Sequence, residues 1–260
     1  MPDSPPPVVT FTTDFGTADY YVAAMKGALL RHCPRATIVD VTHAVPRHDV
    51  LFGSIVLERA LAAFAPGAIH VAVVDPGVGT DRRIVLARWP TNGQTVICPD
   101  NGLLTWAWHR LGPADVRELT WRPAGGHSAV FHGRDIMAPA AGMLASGTPV
   151  DALAGAAVDP VLLDVAPARH VRDRVRIIHV DHFGNATTNL PAEAIGGAVV
   201  TNVLVRGRSV GPLRRTYHDV AKGNPLALVG SSGLLEIAVC EGSAREALHL
   251  AIGDSVELTP

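Results

Sequence analysis

Residues Val74 to Arg83 read VDPGVGTDRR, and Phe131 to Asp135 read FHGRD. These segments offer a carboxylate at Asp75, guanidinium groups at Arg82, Arg83 and Arg134, and an imidazole at His132, preceded by the aromatic Phe131. Brought to one pocket, a carboxylate, an arginine and a histidine can hold a water molecule and accept its proton. The chemistry expected is enzymatic, with water or a small anion as nucleophile. The plainer reading of the first segment is a glycine-rich turn with solvated arginines.

Phe11 to Val22 reads FTTDFGTADYYV, with Asp14 and Asp19 on either side of Gly16 where a strand gives way to a helix. A carboxylate at a strand end can accept hydrogen bonds from two vicinal hydroxyls, as a ribose presents, and Asp19 suits an ammonium group. Equally, Asp14 can simply end the strand while Asp19 caps the helix. His179 to Asn189 reads HVDHFGNATTN. There Phe183 offers an aromatic face, and Asp181 and Asn185 offer an acceptor and an amide able to recognise a base or an amino acid. A plain β-turn at Gly184 is compatible with both.

Other chemistries fit less well. Gly77 and Gly79 do not extend to GxGxxG, because Arg82 fills the third glycine's place, and no GxxxxGK[ST] phosphate loop is present. Residues 230–233 read GSSG, which is not the GxSxG of a nucleophile elbow. Three groups could be weighed as metal ligands: His127, His132 and Asp135; His43, His48 and Asp49; and His179, Asp181 and His182. None has HExxH spacing, and glycine or proline interrupts two of them, so no catalytic metal is expected.

These residues must be positioned by elements. Val8 to Thr13 reads as a strand and Tyr21 to Cys33 as a helix; Thr37 to Val41 and Gly53 to Phe64 repeat the alternation. Ala68 to Val74 is a nearly unbroken apolar strand, as expected where both faces are covered. Shorter strands follow at 84–89 and 95–99, then helices over 104–111 and 133–145. Strand alternating with helix predicts an α/β domain around a largely parallel sheet. In such sheets ligands sit beyond the carboxyl ends of strands, where Asp14 and Asp75 fall. Residues 148–169 have no clear period and read as a linker. Beyond them, runs over 171–180, 198–205, 226–229 and 234–239 predict a smaller all-β, barrel-like domain. The expected division is 1–169 and 170–260.

Apolar residues make up 48% of the 260, enough for a substantial core without a disulfide scaffold. A net charge of −2 argues against a nucleic-acid partner, since phosphate neutralisation needs a basic surface. Cys33, Cys98 and Cys240 are scattered, which fits a reducing, cytoplasmic setting. The start, MPDSPPPVV, lacks the basic and apolar regions of a signal peptide, and no run of about twenty apolar residues predicts a membrane span.

Taken in order, TDFGTADYY, VDPGVGTDRR, PDNGLL, FHGRD, VDHFGNATTN and SSGLLEIAV resemble one family over nearly the whole chain: the S-adenosylmethionine hydroxide adenosyltransferases, relatives of the fluorinase and chlorinase enzymes. The resemblance implies a homotrimer whose active sites pair the N-terminal domain of one subunit with the C-terminal domain of the next. It implies S-adenosylmethionine as substrate, with no cofactor and no metal. The family's catalytic set falls on Asp75, Arg82 and His132. Where the halogenases carry an aromatic and a halide-binding serine, this chain has Asp75 and Gly133. Substrate contacts are implied at Asp14, Asp19, Phe131, Asp181, Phe183, Asn185, Tyr217, Ser231, Glu236 and Val239. Two departures stand out: Cys240 where asparagine is expected, and His48 where the fluorinase has tryptophan. A halide-using transferase, a non-catalytic adenosine sensor and a metal-dependent hydrolase are the competing expectations.

Overall fold

The computed structural model describes residues 5–197 and 199–259. The first residues of the proline-rich start, and Ala198 at the head of the strand expected over 198–205, lie outside them. The chain forms two compact units, the first ending at Val165 and the second beginning at Ala166.

The first unit is built on a seven-stranded sheet. Its strands are β1 (Val8–Thr13), β2 (Thr37–Thr42), β3 (Ile69–Val73), β4 (Ile84–Arg88), β5 (Thr95–Pro99), β6 (Asp115–Leu119) and β7 (Ala154–Ala157), in the order β2-β1-β3-β5-β4-β6-β7. β2, β1, β3 and β5 run parallel, and β4, β6 and β7 extend the sheet by antiparallel pairings. The α/β expectation holds, with an antiparallel flank on the parallel half. Helices α1 (Tyr21–Leu30) and α4 (Ala138–Ala145) place Met25, Leu29, Ala138 and Ala141 in one core with Phe11, Val71 and Val73. Helices α2 (Val50–Ala63) and α3 (Thr105–Leu111) place Leu57, Leu61 and Ala107 in a second core with Ala72, Val85 and Val96. Alternate residues of β3 thus enter different cores, which is why the whole strand reads apolar.

Several boundaries differ from the sequence reading. α2 starts at Val50 rather than Gly53, because the Asp49 carboxylate caps it by accepting from Phe52 N at 2.9 Å. α1 stops at Leu30, short of Cys33, and Pro34 follows. The stretch taken as a linker contains β7, paired with β6. Beyond it, Val161 N donates to Asp100 Oδ1 at 2.7 Å and Leu163 N to Thr105 Oγ1 at 2.8 Å. β7 is the edge strand of the sheet and buries only Ala154, so the lack of a clear period is that of a short, mostly exposed edge strand, not of a free connector.

The second unit has two mostly antiparallel sheets. One joins β10 (Asn202–Val205), β11 (Arg208–Gly211) and β15 (Val256–Thr259); the other joins β8 (Ile177–Val180), β9 (Ala186–Pro191), β12 (Leu213–Arg214), β13 (Pro225–Val229) and β14 (Leu234–Val239). Val203, Val205 and Val256 of the first sheet share a core with Ile177, Leu190, Leu235 and Ile237 of the second. A bridge between Arg176 and Ser255 links the sheets at one edge, giving the barrel-like form expected. The run over 171–180 supplies a strand only from Ile177. Short helices α5 (Ala192–Ile195) and α6 (Ala244–Leu248) fill the connections. Among the described residues, no helix is long and apolar enough to cross a membrane.

Candidate active site

Neighbouring parallel strands β1 and β3 are in register at Thr13 and Val73. Asp14 and Asp75 therefore emerge side by side at the carboxyl end of the sheet, where an α/β fold leaves a crevice. Asn101 braces the end of β3 by donating through Nδ2 to the Val74 carbonyl at 2.8 Å. Its neighbour Asp100, buried, accepts from Arg83 Nε at 2.9 Å. This explains the PDNGLL segment: it is scaffolding behind Asp75. Arg83 is thereby occupied and is not available to the pocket.

After Asp75 the chain turns through Gly77 and Gly79 and returns as Arg82. Arg82 Nε donates to Asp75 Oδ1 at 2.8 Å, and Nη2 makes a very short contact with Oδ2. Nη2 also donates to His132 Nδ1 at 2.9 Å. Both side chains of the ion pair are nearly buried, at 10% and 5% exposure, so solvent screens the pair little. A guanidinium can only donate, so Nδ1 of His132 accepts and the neutral ring carries its proton on Nε2. Burial first, then the positive Arg82, holds His132 below the ordinary histidine range, with Asp75 opposing.

His132 precedes a turn of π-helix over Gly133–Met137 that leads into α4. The sequence reads here as uninterrupted helix; the wider turn was not legible, and such turns recur at functional sites. Gly133 is buried, and a Cβ there would lie 3.2 Å from Met25 Sδ. A pocket of about 240 Å³ is lined by Asp14, Arg47, His48, Asp75, Phe131 and His132, among others. His48 adopts φ 65° and donates its backbone N–H to Asp14 Oδ2 at 2.9 Å. Beside it, a hollow of about 390 Å³ is walled by Phe15, Tyr20, Tyr21, Phe131 and Arg134, with the Arg134 guanidinium 4.7 Å from the centre of the Phe131 ring. Phe15, Tyr21 and Phe131 meet edge to face. Tyr20 and Tyr21 stand within TDFGTADYY, but the sequence reading singled out only its aspartates; Arg47 carried no sequence signal at all. Asp19 is exposed in the loop before α1 and belongs to neither lining.

In the second unit, Asp181 organises the loop between β8 and β9. Its Oδ1 accepts from Phe183 N and Asn185 N at 2.9 and 2.8 Å, and its Oδ2 accepts from Asn185 Nδ2 at 3.1 Å. The Phe183 ring is left 74% exposed. Gly184, at φ 86°, lies so close to Ser243 that a Cβ would fall 2.2 Å from Oγ. Tyr217 Oη donates to Glu236 Oε1 at 2.7 Å. Burial and this carboxylate push the Tyr217 phenol up to about 12, and burial raises the Glu236 carboxyl. Ser231 is exposed in the turn before β14, whereas the Val239 side chain lies in the core.

The three sequence groups weighed as metal ligands do not assemble. His43 Nδ1 bonds to Thr13 Oγ1, Asp49 caps α2, and Asp135 accepts from Arg134 and from Ser128 N. Among the described residues, one set of three ligand-type groups comes together elsewhere: His218, Cys240 and Glu241.

Comparison with known proteins gives a consistent picture. Residues 9–154 match the model of the SAM hydroxide adenosyltransferase N-terminal domain, and 175–257 that of the C-terminal domain. The chain is 42% identical to the (R)-S-adenosyl-L-methionine hydrolase of Thermus thermophilus, over 96% of this chain and 98% of that one. It is 28% identical to the fluorinase of an Actinoplanes species, over 100% and 99%. A crystal structure of an uncharacterized conserved protein from Thermotoga maritima superposes with a TM-score of 0.88 at 33% identity, over 96% and 100%.

Proposed function

We infer that this chain, which belongs to the SAM hydroxide adenosyltransferase family, hydrolyses S-adenosyl-L-methionine to adenosine and L-methionine. It is an enzyme. The observation that carries its mechanism is the chain of contacts from Asp75 through Arg82 to His132. Water attacks C5′ in line with the carbon–sulfur bond. The bond's electron pair leaves with sulfur, so a sulfonium becomes a neutral thioether and no general acid is required. The nucleophile is the difficulty. With Nδ1 engaged by Arg82, His132 Nε2–H donates to the water oxygen, while a free lone pair of Asp75 accepts one of its hydrogens and then the proton. Arg82 stabilises the developing hydroxide character. Orientation of this kind lowers the barrier beyond proton transfer alone. Asp14 binds the ribose hydroxyls, Phe131 packs on the sugar, and Asp19 meets the methionine end. Asp181, Phe183, Asn185, Tyr217, Ser231 and Glu236 complete the pocket, and Val239, whose side chain lies in the core, supports it from the end of β14. In this reading they come from the neighbouring copy in a homotrimer. No metal or cofactor takes part, and free buried cysteines support a cytoplasmic enzyme.

The relatives are named for the (R) sulfonium epimer, and we extend that preference to this chain. The epimers exchange methyl and methionine arms at sulfur without altering the line of attack on C5′, so discrimination falls to the methionine subsite. Asp75→Ala and His132→Ala are expected to lose most turnover, about 10²–10⁴-fold, while retaining substrate binding measured by calorimetry. Near-normal turnover in both would remove them from the catalytic set.

A further inference from the structure

Val239 ends β14, and the chain reverses through Cys240 and Glu241, closed by Gly242 N donating to the Val239 carbonyl at 3.1 Å. Cys240 is fixed on both sides of its backbone. Its N–H donates to Asn224 O at 3.1 Å, and its carbonyl accepts from Gly223 N at 2.8 Å. Glu241 holds a left-handed conformation at φ 51°. Facing them is a short 3-10 turn over Tyr217–Asp219, itself locked by a reciprocal cap between Thr216 and Asp219. That turn presents His218. The His218 ring, the Cys240 sulfur and a Glu241 oxygen all lie within 4.8 Å of one another. Cys240 is only 2% exposed, while His218 and Glu241 are exposed.

We propose that His218, Cys240 and Glu241 form a site for a zinc-type divalent cation that fastens the Tyr217–Asp219 turn to the end of β14. Thiolate, imidazole and carboxylate together are the ligand set of zinc and of cobalt standing in for it; calcium and magnesium prefer all-oxygen shells. Ligand atoms around a tetrahedral zinc stand about 3.3–3.8 Å apart, so the present spacing closes with small rotations of the two exposed side chains. The backbone on both sides is already pinned, which limits the ordering that binding requires. The fourth position opens to solvent. The Lys222 ammonium, 2.8 Å from Glu241, competes with the cation, but this pair is exposed and holds weakly. Tyr217 already ties the turn to β14 through Glu236, and the cation adds a second tie one residue along. None of Asp75, Arg82 and His132 is a ligand, and the inference stands whatever reaction the chain performs.

The test is cobalt titration of the full chain after EDTA treatment and dialysis. A thiolate-to-cobalt charge-transfer band should grow in the near ultraviolet, saturate at one ion per chain, and disappear on adding zinc. Cys240→Ser should abolish it. His218→Ala, at an exposed position that leaves the fold intact by circular dichroism, should weaken binding about tenfold or more, since loss of even an outer partner has effects of that size. Lys222→Ala should tighten it. No band at millimolar cobalt, or a band unchanged in the Cys240 and His218 variants, overturns the proposal.

Discussion

Arg82 donates to Asp75 through Nε and to His132 through Nη2, so losing its fork unpairs two groups together. A lysine keeps the charge but has no planar pair of donors to span both partners. Arg82→Lys is therefore expected to lower kcat by about 10²-fold or more with little change in substrate affinity. Steady-state kinetics checks this, and a change confined to KM would contradict it. His132 gives a second prediction. Its pKa lies below the ordinary 6.5 through burial and the Arg82 charge, so the ring is neutral at pH 7. Protonating it would place a donor at Nδ1 against Arg82 Nη2. The profile of kcat/KM should be flat on this limb above neutrality and fall as pH drops through a value under 6.5; a rise on acidification would contradict the assigned tautomer. At this scale the sequence was informative about residue types. Asp75, Arg82 and His132 were legible because they sit in short polar runs at glycine-marked turns. Arg47 and the His48 backbone donor were not, since nothing in local sequence shows which loop folds over Asp14.

Two packing features of the first unit carry predictions for its elements. α1 and α4 approach so closely that a Cβ on Gly142 would lie 2.5 Å from the Leu29 carbonyl oxygen. Gly142→Ala should destabilise the protein by about 1–3 kcal/mol through overpacking, read as a lower denaturant midpoint at unchanged slope. Because α4 continues the turn that holds His132, activity should fall with it. On β3, His70 is 1% exposed, bonded through Nδ1 to Thr10 Oγ1 at 2.8 Å, and burial pulls it down to about 4. Below pH 6.5 the unfolded chain takes up a proton that the folded chain refuses until about 4. Stability is therefore lost as pH falls through that window, by up to about 3 kcal/mol. His70→Gln should flatten the pH dependence of Tm there; an unchanged slope would show that other groups govern acid stability. The strands were legible because burial on both faces leaves long apolar runs. The helix starts were less so: Asp49 is a cap whose partner, a backbone N–H, has no sequence mark. β7 was missed because four small residues at a sheet edge have neither period nor bulk.

For the whole molecule, the all-β second unit carries ligand-type groups, Phe183 foremost, while Asp75, Arg82 and His132 belong to the first unit. The homotrimer proposed above lets a neighbouring copy supply them, and mixing two inactive variants tests it. Asp75→Asn damages the first unit, and Asn185→Ala the second. Co-refolded in equal amounts, random trimers should regain up to about a quarter of normal activity, since some sites then combine two intact units. No recovery, with both variants trimeric by sedimentation, would refute shared sites. The domain order and family were legible because six motifs recur in order along nearly the whole chain. The assembly rests on that resemblance alone, as composition does not encode it.

The most direct measurement is product analysis by liquid chromatography after incubating purified protein with each resolved epimer of S-adenosyl-L-methionine, with and without EDTA and chloride. Equal amounts of adenosine and methionine, faster from the (R) epimer and indifferent to both additives, are predicted. Binding without products from either epimer would contradict the account and remove Asp75, Arg82 and His132 from a role in water attack.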